Sequence, residues 1–505
     1  MRNPHGFLPP PRGNFRSIFG FGVLMIVRLC RSLLFATLLA SLAGAALAAP
    51  AAATSGAKDP RLAGAYRFQQ NGWTYVHLQG TPEAIGFQHG YLLAPQIEDF
   101  ARTLRVEEAH ATPAYPWTFY RQTARTILWP HINAEYRAEL KGIAEGVEAR
   151  GGHLDLWDIV AMNGNIEIGE YYIPWLKLQK HQPVTPKAPG RCSAFIATGD
   201  WTKGGQIVIA HNNWTNYADG ERWTIIFDIQ PAHGYRMIMD GAPGLITSED
   251  DFGVNSDGLM ITETTISGFV GWKSDAIPEF VRARQAMQYA GSIDQYAAIM
   301  EKGNNGGYAN DWLIGDRKTG EIGYLELGLK HVKLWKKKNG YFVSANFARD
   351  PALIRDETIG YDPADMSSSP NARHVRWLQL MKQYKGRIDV SLAEQFLGDH
   401  YDSWEKKVDP DERTLCGHID RSPRGVPVWG DPPFFPEGAV QGKATDSAMA
   451  ARMQLVAHAG HPGGHSFYVK PFLAAHPQFN WEKPVLRDMI AYPWTPFTSG
   501  ERAGK

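Results

Sequence analysis

The run Gly190-Arg191-Cys192-Ser193-Ala194-Phe195, with His211-Asn212-Asn213-Trp214 beginning nineteen residues after the cysteine, decides how this chain is read. Only 3 cysteines occur in 505 residues, and Cys192 stands where the Pro/Lys/Gly segment 181–190 gives way to a strand-like run. A rare thiol at a loop-to-strand junction is well placed for chemistry, whereas most free cysteines are small buried hydrophobes. Cutting the chain before Cys192 would give that residue both a thiol and an α-amine. Their ordinary pKa values, about 8.5 and about 8, let one take the other's proton near neutrality, so no histidine base is required. The cut itself would follow attack of the thiol on the Arg191 carbonyl and hydrolysis of the resulting thioester.

The bulk composition narrows the partners. Lys plus Arg equal Asp plus Glu at 52 each, and 44% of the residues are hydrophobic, the balance of an ordinary globular protein with a substantial core. Nothing here favours a nucleic acid or another polyanion. The 16 tryptophans and 23 phenylalanines leave room for an apolar cleft or a transient contact with a lipid surface, although a large core absorbs aromatics equally well.

Residues 1–48 have the form of an export signal, with Arg28 and Arg31, an apolar run from Leu33 to Leu47, and Ala46-Leu47-Ala48 before Ala49-Pro50. Met25 is an alternative start. A periplasmic or secreted protein is expected, divided into an N-terminal helical segment or pro-chain, 49–191, and a catalytic chain, 192–505. Loss of the signal removes Cys30 and leaves Cys192 and Cys416 in an oxidising compartment, where a disulfide between them would exclude a catalytic thiol.

Helical patterns run from Thr81 to Ile97, Ala134 to Arg150, Glu279 to Ala290 and Ser391 to Leu397. After Cys192 short β-type runs dominate: Gln206–Ala210, Trp223–Ile229, Tyr235–Met239, Gly258–Thr265, Trp312–Gly315 and Ile322–Leu327. Asn339-Gly340, between His331–Trp335 and Tyr341–Ala345, predicts a hairpin turn. Strands joined by hairpins, with helices in separate blocks, imply an α+β protein with antiparallel sheets.

An acyl-transfer site also needs donors aimed at the developing oxyanion, each lowering the barrier by roughly 3–4 kcal/mol. Asn213 and Asn310, the latter in Gly306-Gly307-Tyr308-Ala309-Asn310-Asp311-Trp312, are the candidates, although an asparagine beside a turn more often bonds its own backbone.

Together these runs, with Pro243-Gly244-Leu245-Ile246, Asp250-Asp251-Phe252, Gly258-Leu259 and Thr262-Glu263-Thr264-Thr265, resemble the phospholipase B-like proteins and the related penicillin acyltransferase type of N-terminal nucleophile (Ntn) hydrolase. The resemblance implies a four-layer αββα sandwich with two antiparallel sheets. It implies Cys192 as the nucleophile freed by autocatalytic cleavage, with His211 and Trp214 lining the site, Thr264 reaching it, and Asn310 as oxyanion donor beside Asn213. A family arginine falls at Arg373, with Arg376 as its competitor. Thr215 stands where many acyl hydrolases of this superfamily carry an aspartate, which points to the phospholipase B-like branch. The implied reaction is hydrolysis of a fatty-acyl ester through a Cys192 thioester, with no cofactor and no metal, and the two chains of one precursor remain associated. An N-acyl amide or peptide is the competing substrate, used by an amidohydrolase or acyltransferase.

Two readings of other classes stand beside it. One is a non-catalytic binding protein with a Cys192–Cys416 disulfide. The other is a metal hydrolase built on His458, His461 and His465, whose Pro and Gly spacing suits metal ligands poorly. Cys416 and His418 lie too close in a turn for a nucleophile and base, and a glycan on Asn213 in Asn213-Trp214-Thr215 would block the proposed site.

Overall fold

The computed structural model describes residues 59–184, 192–248, 252–426 and 429–502. The predicted signal, Met25 and the Arg191 side of the predicted cut lie outside them. The strands in chain order are β1 (Tyr66–Gln70), β2 (Trp73–Gly80), β3 (Ser193–Gly199), β4 (Gly205–Asn216), β5 (Ile225–Pro231) and β6 (Met237–Gly241). There follow β7 (Gly253–Asn255), β8 (Leu259–Thr265), β9 (Asn310–Asp316), β10 (Glu321–Leu327), β11 (Val332–Lys337) and β12 (Gly340–Ser344). The last are β13 (Tyr401–Asp402), β14 (Lys407–Val408), β15 (Glu437–Asp446), β16 (Gln454–Ala459) and β17 (Thr495–Thr498).

Among the described residues these strands form a nine-stranded sheet in the order β1-β2-β5-β6-β7-β8-β9-β10-β11, a six-stranded sheet in the order β12-β3-β4-β15-β16-β17, and a separate pair β13-β14. The sheets pack face to face: Tyr75, Ile226, Ile238, Met260 and Leu313 of the first share one buried apolar layer with Ala194, Ile196, Ile209 and Phe342 of the second. Alternate strand residues point the other way. Phe227 and Met239 on the far side of the large sheet meet Ile97, Leu140 and Ile143 of the N-terminal helices, and Phe195 on the far side of the small sheet meets Trp377 and Phe396. The protein is therefore α+β, with helices outside two stacked sheets.

Three expectations need correction. The large sheet is mixed, because β2 runs parallel to β5 with Thr74 opposite Ile225, so the two sheets are not both antiparallel. The segment before Cys192 is not wholly helical: Trp73 to Leu78 are all buried and place β1 and β2 in that sheet. Aromatic and β-branched residues favour an extended chain packed within a sheet. Finally, Asn339-Gly340 does not close a hairpin. It carries the chain from one sheet to the other, β11 pairing with β10 and β12 with β3. The Asn339 amide bridges to Asp200, accepting from its backbone N–H at 2.9 Å and donating to its carboxylate at 2.8 Å. That tie takes the place of the hairpin.

The helix Pro82–Ala111 begins where Thr81 caps Ala84 N–H at 3.3 Å and runs fourteen residues beyond Ile97, through Pro95. Its buried stripe continues with Phe100, Ala101 and Leu104, and that burial outweighs the bond lost at the proline. It crosses the helix Ala134–Ala149 at backbone contact, because glycines face each other at both i and i+4. A Cβ built on Gly86 would lie 1.9 Å from the Glu139 carbonyl oxygen, and one on Gly90 would lie 2.0 Å from that of Ile143. Gly142 and Gly146 make the reciprocal approaches to Glu83 and Phe87. Gly90→Ala must force the helices apart and is expected to destabilise the protein by about 2–3 kcal/mol, read by urea unfolding. A loss within about 0.5 kcal/mol would mean that the pair separates freely.

Candidate active site

Cys192 is the residue before β3. Ser193 pairs with Asn212 of β4 and Ala194 with His211. Alternation then puts Ser193, Asn212 and Trp214 on one face, and Ala194, His211 and Asn213 on the other. The Cys192 sulfur, a His211 ring nitrogen and a Glu263 carboxylate oxygen lie within 4.8 Å of one another, all three residues fully buried. Glu263 accepts the Tyr308 hydroxyl at 3.0 Å. Tyr308 has φ +50° at the end of the Gly306-Gly307 turn, a left-handed conformation that aims the ring inward.

The helix Ser369–Gln383 delivers Arg373, which is fully buried. Its guanidinium donates to the Cys192 carbonyl at 2.5 Å, to the Ser193 hydroxyl at 2.9 Å, to Asn346 Oδ1 at 3.0 Å and to Ser369 Oγ at 3.0 Å. It lies 4.3 Å from the Trp214 ring centroid. Trp214 is thus one layer behind the thiol, holding the arginine, while its indole N–H donates to the Leu415 carbonyl at 3.1 Å. Arg376 is turned away and paired with Asp399 at 2.6 Å.

Strands β8 and β9 bring Thr264 opposite Asp311 and Thr265 opposite Asn310. The Thr264 hydroxyl meets Ser344 Oγ at 2.5 Å, tying the large sheet to β12 of the small one, and Ser344 donates to Asp311 at 3.2 Å. Burial, with Glu326 nearby, raises the Asp311 carboxyl well above the usual range. Asn346, with φ +65°, donates to the Thr265 carbonyl at 2.9 Å and so links this strand to Arg373. The amide groups of Asn213 and Asn310 are buried and, among the described residues, have no hydrogen-bond partner on either atom. An unsatisfied buried amide costs about 1–3 kcal/mol, which is tolerated where a ligand or transition state supplies the partner.

Sequence reasoning missed Glu263, Ser344 and Asn346. Glu263 was legible as an acid inside an apolar strand pattern. Ser344 and Asn346 become relevant only through the sheet-to-sheet crossing. The disulfide reading is corrected, since neither Cys192 nor Cys416 is in a disulfide. Cys416 packs with Trp214, on the face of β4 away from His211. Of the C-terminal histidine triplet, His458 turns to Trp494 and the Gly460 carbonyl. Asn213 is too deeply buried to carry a glycan.

The Phospholipase B family matches residues 112–346, which include each of these candidate residues but Arg373. Over that stretch, a little under half of its length, the chain is similar to the phospholipase B-like family. A "Putative phospholipase B-like 1" of Caenorhabditis elegans is 27% identical over 419 residues, 74% of this chain and 70% of that protein. A "Phospholipase B" of Crotalus adamanteus is 27% identical over 301 residues, 54% of this chain and 52% of its own. An "Uncharacterized protein" of Archaeoglobus fulgidus is 24% identical over 281 residues, covering 53% of this chain and 45% of its own length.

A cleft of about 540 Å³ opens beside Thr215 and Asn216, at the end of the strand that carries His211 and Asn213. Its walls join the segment before Cys192, at Glu107 and Asn165, to the segment after it, at Trp223, Asp431 and Trp481. Around it buried carboxyls hold their protons. Burial, then Asp219 and Glu221, push Glu482 up to about 9, and burial pushes Glu221 up to about 8. The folded state therefore binds more protons than the unfolded chain, whose carboxyls titrate near pH 4, and stability falls as pH rises toward those values. The buried histidines His89, His374 and His458, held low by burial, act in the opposite sense only below about pH 6.5. Between pH 7 and 8.5 the stability is expected to drop, and Glu482→Gln to flatten that slope by up to about 1.4 kcal/mol per pH unit, read by urea unfolding at each pH. An unchanged slope would mean that Glu482 is ionised in the fold.

Proposed function

We propose that this protein is an Ntn-type acyl hydrolase, matured by cleavage between Arg191 and Cys192, that transfers a fatty-acyl group from an ester to the Cys192 thiol and then to water. The observation that carries this reading is the buried Cys192 sulfur gathered with His211 and Glu263 while Arg373 holds the carbonyl of the same residue. Similarity to the phospholipase B-like family supports the ester as substrate, and helices outside two stacked sheets agree with the αββα layering of Ntn hydrolases.

In the uncut chain His211 takes the thiol proton, and the sulfur adds to the Arg191 carbonyl carbon. The Arg191–Cys192 C–N bond breaks as nitrogen is protonated, leaving an Arg191 thioester on Cys192 and a free α-amine. Water hydrolyses the thioester and releases the Arg191 carboxylate. In the mature enzyme the α-amine accepts the thiol proton and the thiolate adds to the substrate carbonyl. The alcohol leaves with the proton from the ammonium, and water releases the fatty acid. Asn213 and Asn310 donate to the oxyanion in both acyl steps, and their unpartnered amides are the reserve for it. The exported location expected from residues 1–48 and the association of the two chains after the cut belong to the same proposal.

Intact mass and N-terminal sequencing of the wild type beside Cys192→Ala test the maturation step. A wild-type fragment beginning at Cys192, with the variant whole, is the expected result, and two whole chains would sink the Ntn mechanism. For turnover of an acyl ester, Asn213→Ala and Asn310→Ala are each expected to lower kcat by about 10²–10³-fold. Their unfolding midpoints should stay level or rise, because no hydrogen bond is lost. Full turnover in both variants would remove them from the oxyanion role.

A further inference from the structure

Behind Trp214, away from the thiol, three loops converge on a second cluster. His400 follows the helix Val390–Leu397, His418 precedes the short turn Ile419–Arg421, and His465 lies between β16 and the helix Val469–Ala475. One ring nitrogen from each lies within 4.8 Å of the others. The Nε2 atoms of His400 and His418 are 3.3 Å apart, and the Cys416 sulfur is 3.8 Å from His418 Nε2. The nitrogen pair stands slightly beyond the roughly 2.7–3.2 Å preferred by a hydrogen bond, and the sulfur contact is within reach of a hydrogen bond to sulfur. A tetrahedral zinc ion with bonds of about 2.05 Å to nitrogen and about 2.3 Å to sulfur sets neighbouring N···N at about 3.3 Å and N···S at about 3.5 Å. Both distances are therefore near those of a metal-ligand tetrahedron.

We propose that His400, His418 and His465, with Cys416 beside His418, form a binding site for a zinc-class divalent cation, separate from the acyl-transfer site and independent of the mechanism proposed for it. The chemistry of the donors selects the ion, since imidazole with one thiolate suits zinc and cobalt and not calcium or magnesium. The surroundings support the site. Asp420 lies 3.5 Å from His418 Nδ1 without a formed hydrogen bond and is itself held by the Tyr217 hydroxyl at 2.6 Å, so a carboxylate stands where it could orient a ligating imidazole from behind. The Gly463 N–H donates to the Cys416 sulfur at 3.3 Å. Gly463 also leaves the space open, for a Cβ there would lie 2.3 Å from His400 Cε1. His418 and Cys416 are buried, His400 is half-buried and His465 is exposed, which gives an ion a route in. Only His465 belongs to the triplet that is prominent in the sequence. His461 is a wall of the site, its Nδ1 on the Ala439 carbonyl at 2.5 Å.

The full chain, stripped with a chelator and titrated with cobalt(II), tests the site. One equivalent is expected to bind with the visible bands of tetrahedral cobalt and a near-ultraviolet thiolate charge-transfer band, and zinc is expected to displace it and raise the melting temperature by about 3–5 °C. His465→Ala, at an exposed position, should weaken binding at least tenfold with the near-ultraviolet circular dichroism unchanged. Cys416→Ser should abolish only the charge-transfer band. Cys192→Ala must keep the whole signal, because Cys192, His211 and Glu263 also lie within 4.8 Å of one another. No tetrahedral spectrum, or one lost in Cys192→Ala and kept in His465→Ala, would overturn the proposal.

Discussion

The Arg373 guanidinium is the fixed point of the site. A buried cation is stable only when its donors are matched with acceptors, and those of Arg373 go to the Cys192 carbonyl, Ser193, Asn346 and Ser369. Through them one side chain locates the first residue of β3, the crossing from β12 and its own helix. Asn346 passes the restraint to Thr265, the register partner of Asn310. The arginine rests in turn on Trp214, which explains why an indole is needed on the face of β4 opposite the thiol. Lysine would keep the charge and lose the planar fork that reaches several acceptors at once.

The second constraint is that the chain before and after Cys192 builds one sheet. Residues 73–80 form β2, hydrogen-bonded to β5. The glycine-faced helix pair packs on the same side of that sheet, with Ile97 and Ile143 in one core with Phe227. A break before Cys192 would leave this core whole, so the two pieces of a cleaved precursor have a physical reason to stay together. The cleft beside Thr215, walled from both pieces, depends on the same arrangement.

Much of this was legible in the residues. The runs Gly258–Thr265 and Ile322–Leu327 became β8 and β10 almost residue for residue, because short apolar, β-branched and aromatic runs bounded by Gly and Asp mark a strand directly. Asn213 and Asn310 were legible as amides in or at the start of strand-like runs, and the structure buries both. The register of the arginine stayed open between Arg373 and Arg376, three positions apart on one helix, and was decided by which of them faces β3. The hairpin at Asn339-Gly340 misled for a related reason. A turn dipeptide determines the local bend, while the partner of the next strand depends on the edge that is available, here β3.

The sequence by itself determined the α+β class, the positions of most strands, and a thiol, an imidazole and two amides in an order that suits acyl transfer, since period, turn chemistry and side-chain type are local properties. Tertiary structure alone decided that β2 joins β5 in parallel, that Glu263 reaches the thiol, that Trp214 stands behind Arg373, and that His400 and His418 meet His465 from distant loops. Those are facts of register and packing between segments up to hundreds of residues apart, and no local pattern encodes which buried faces will meet.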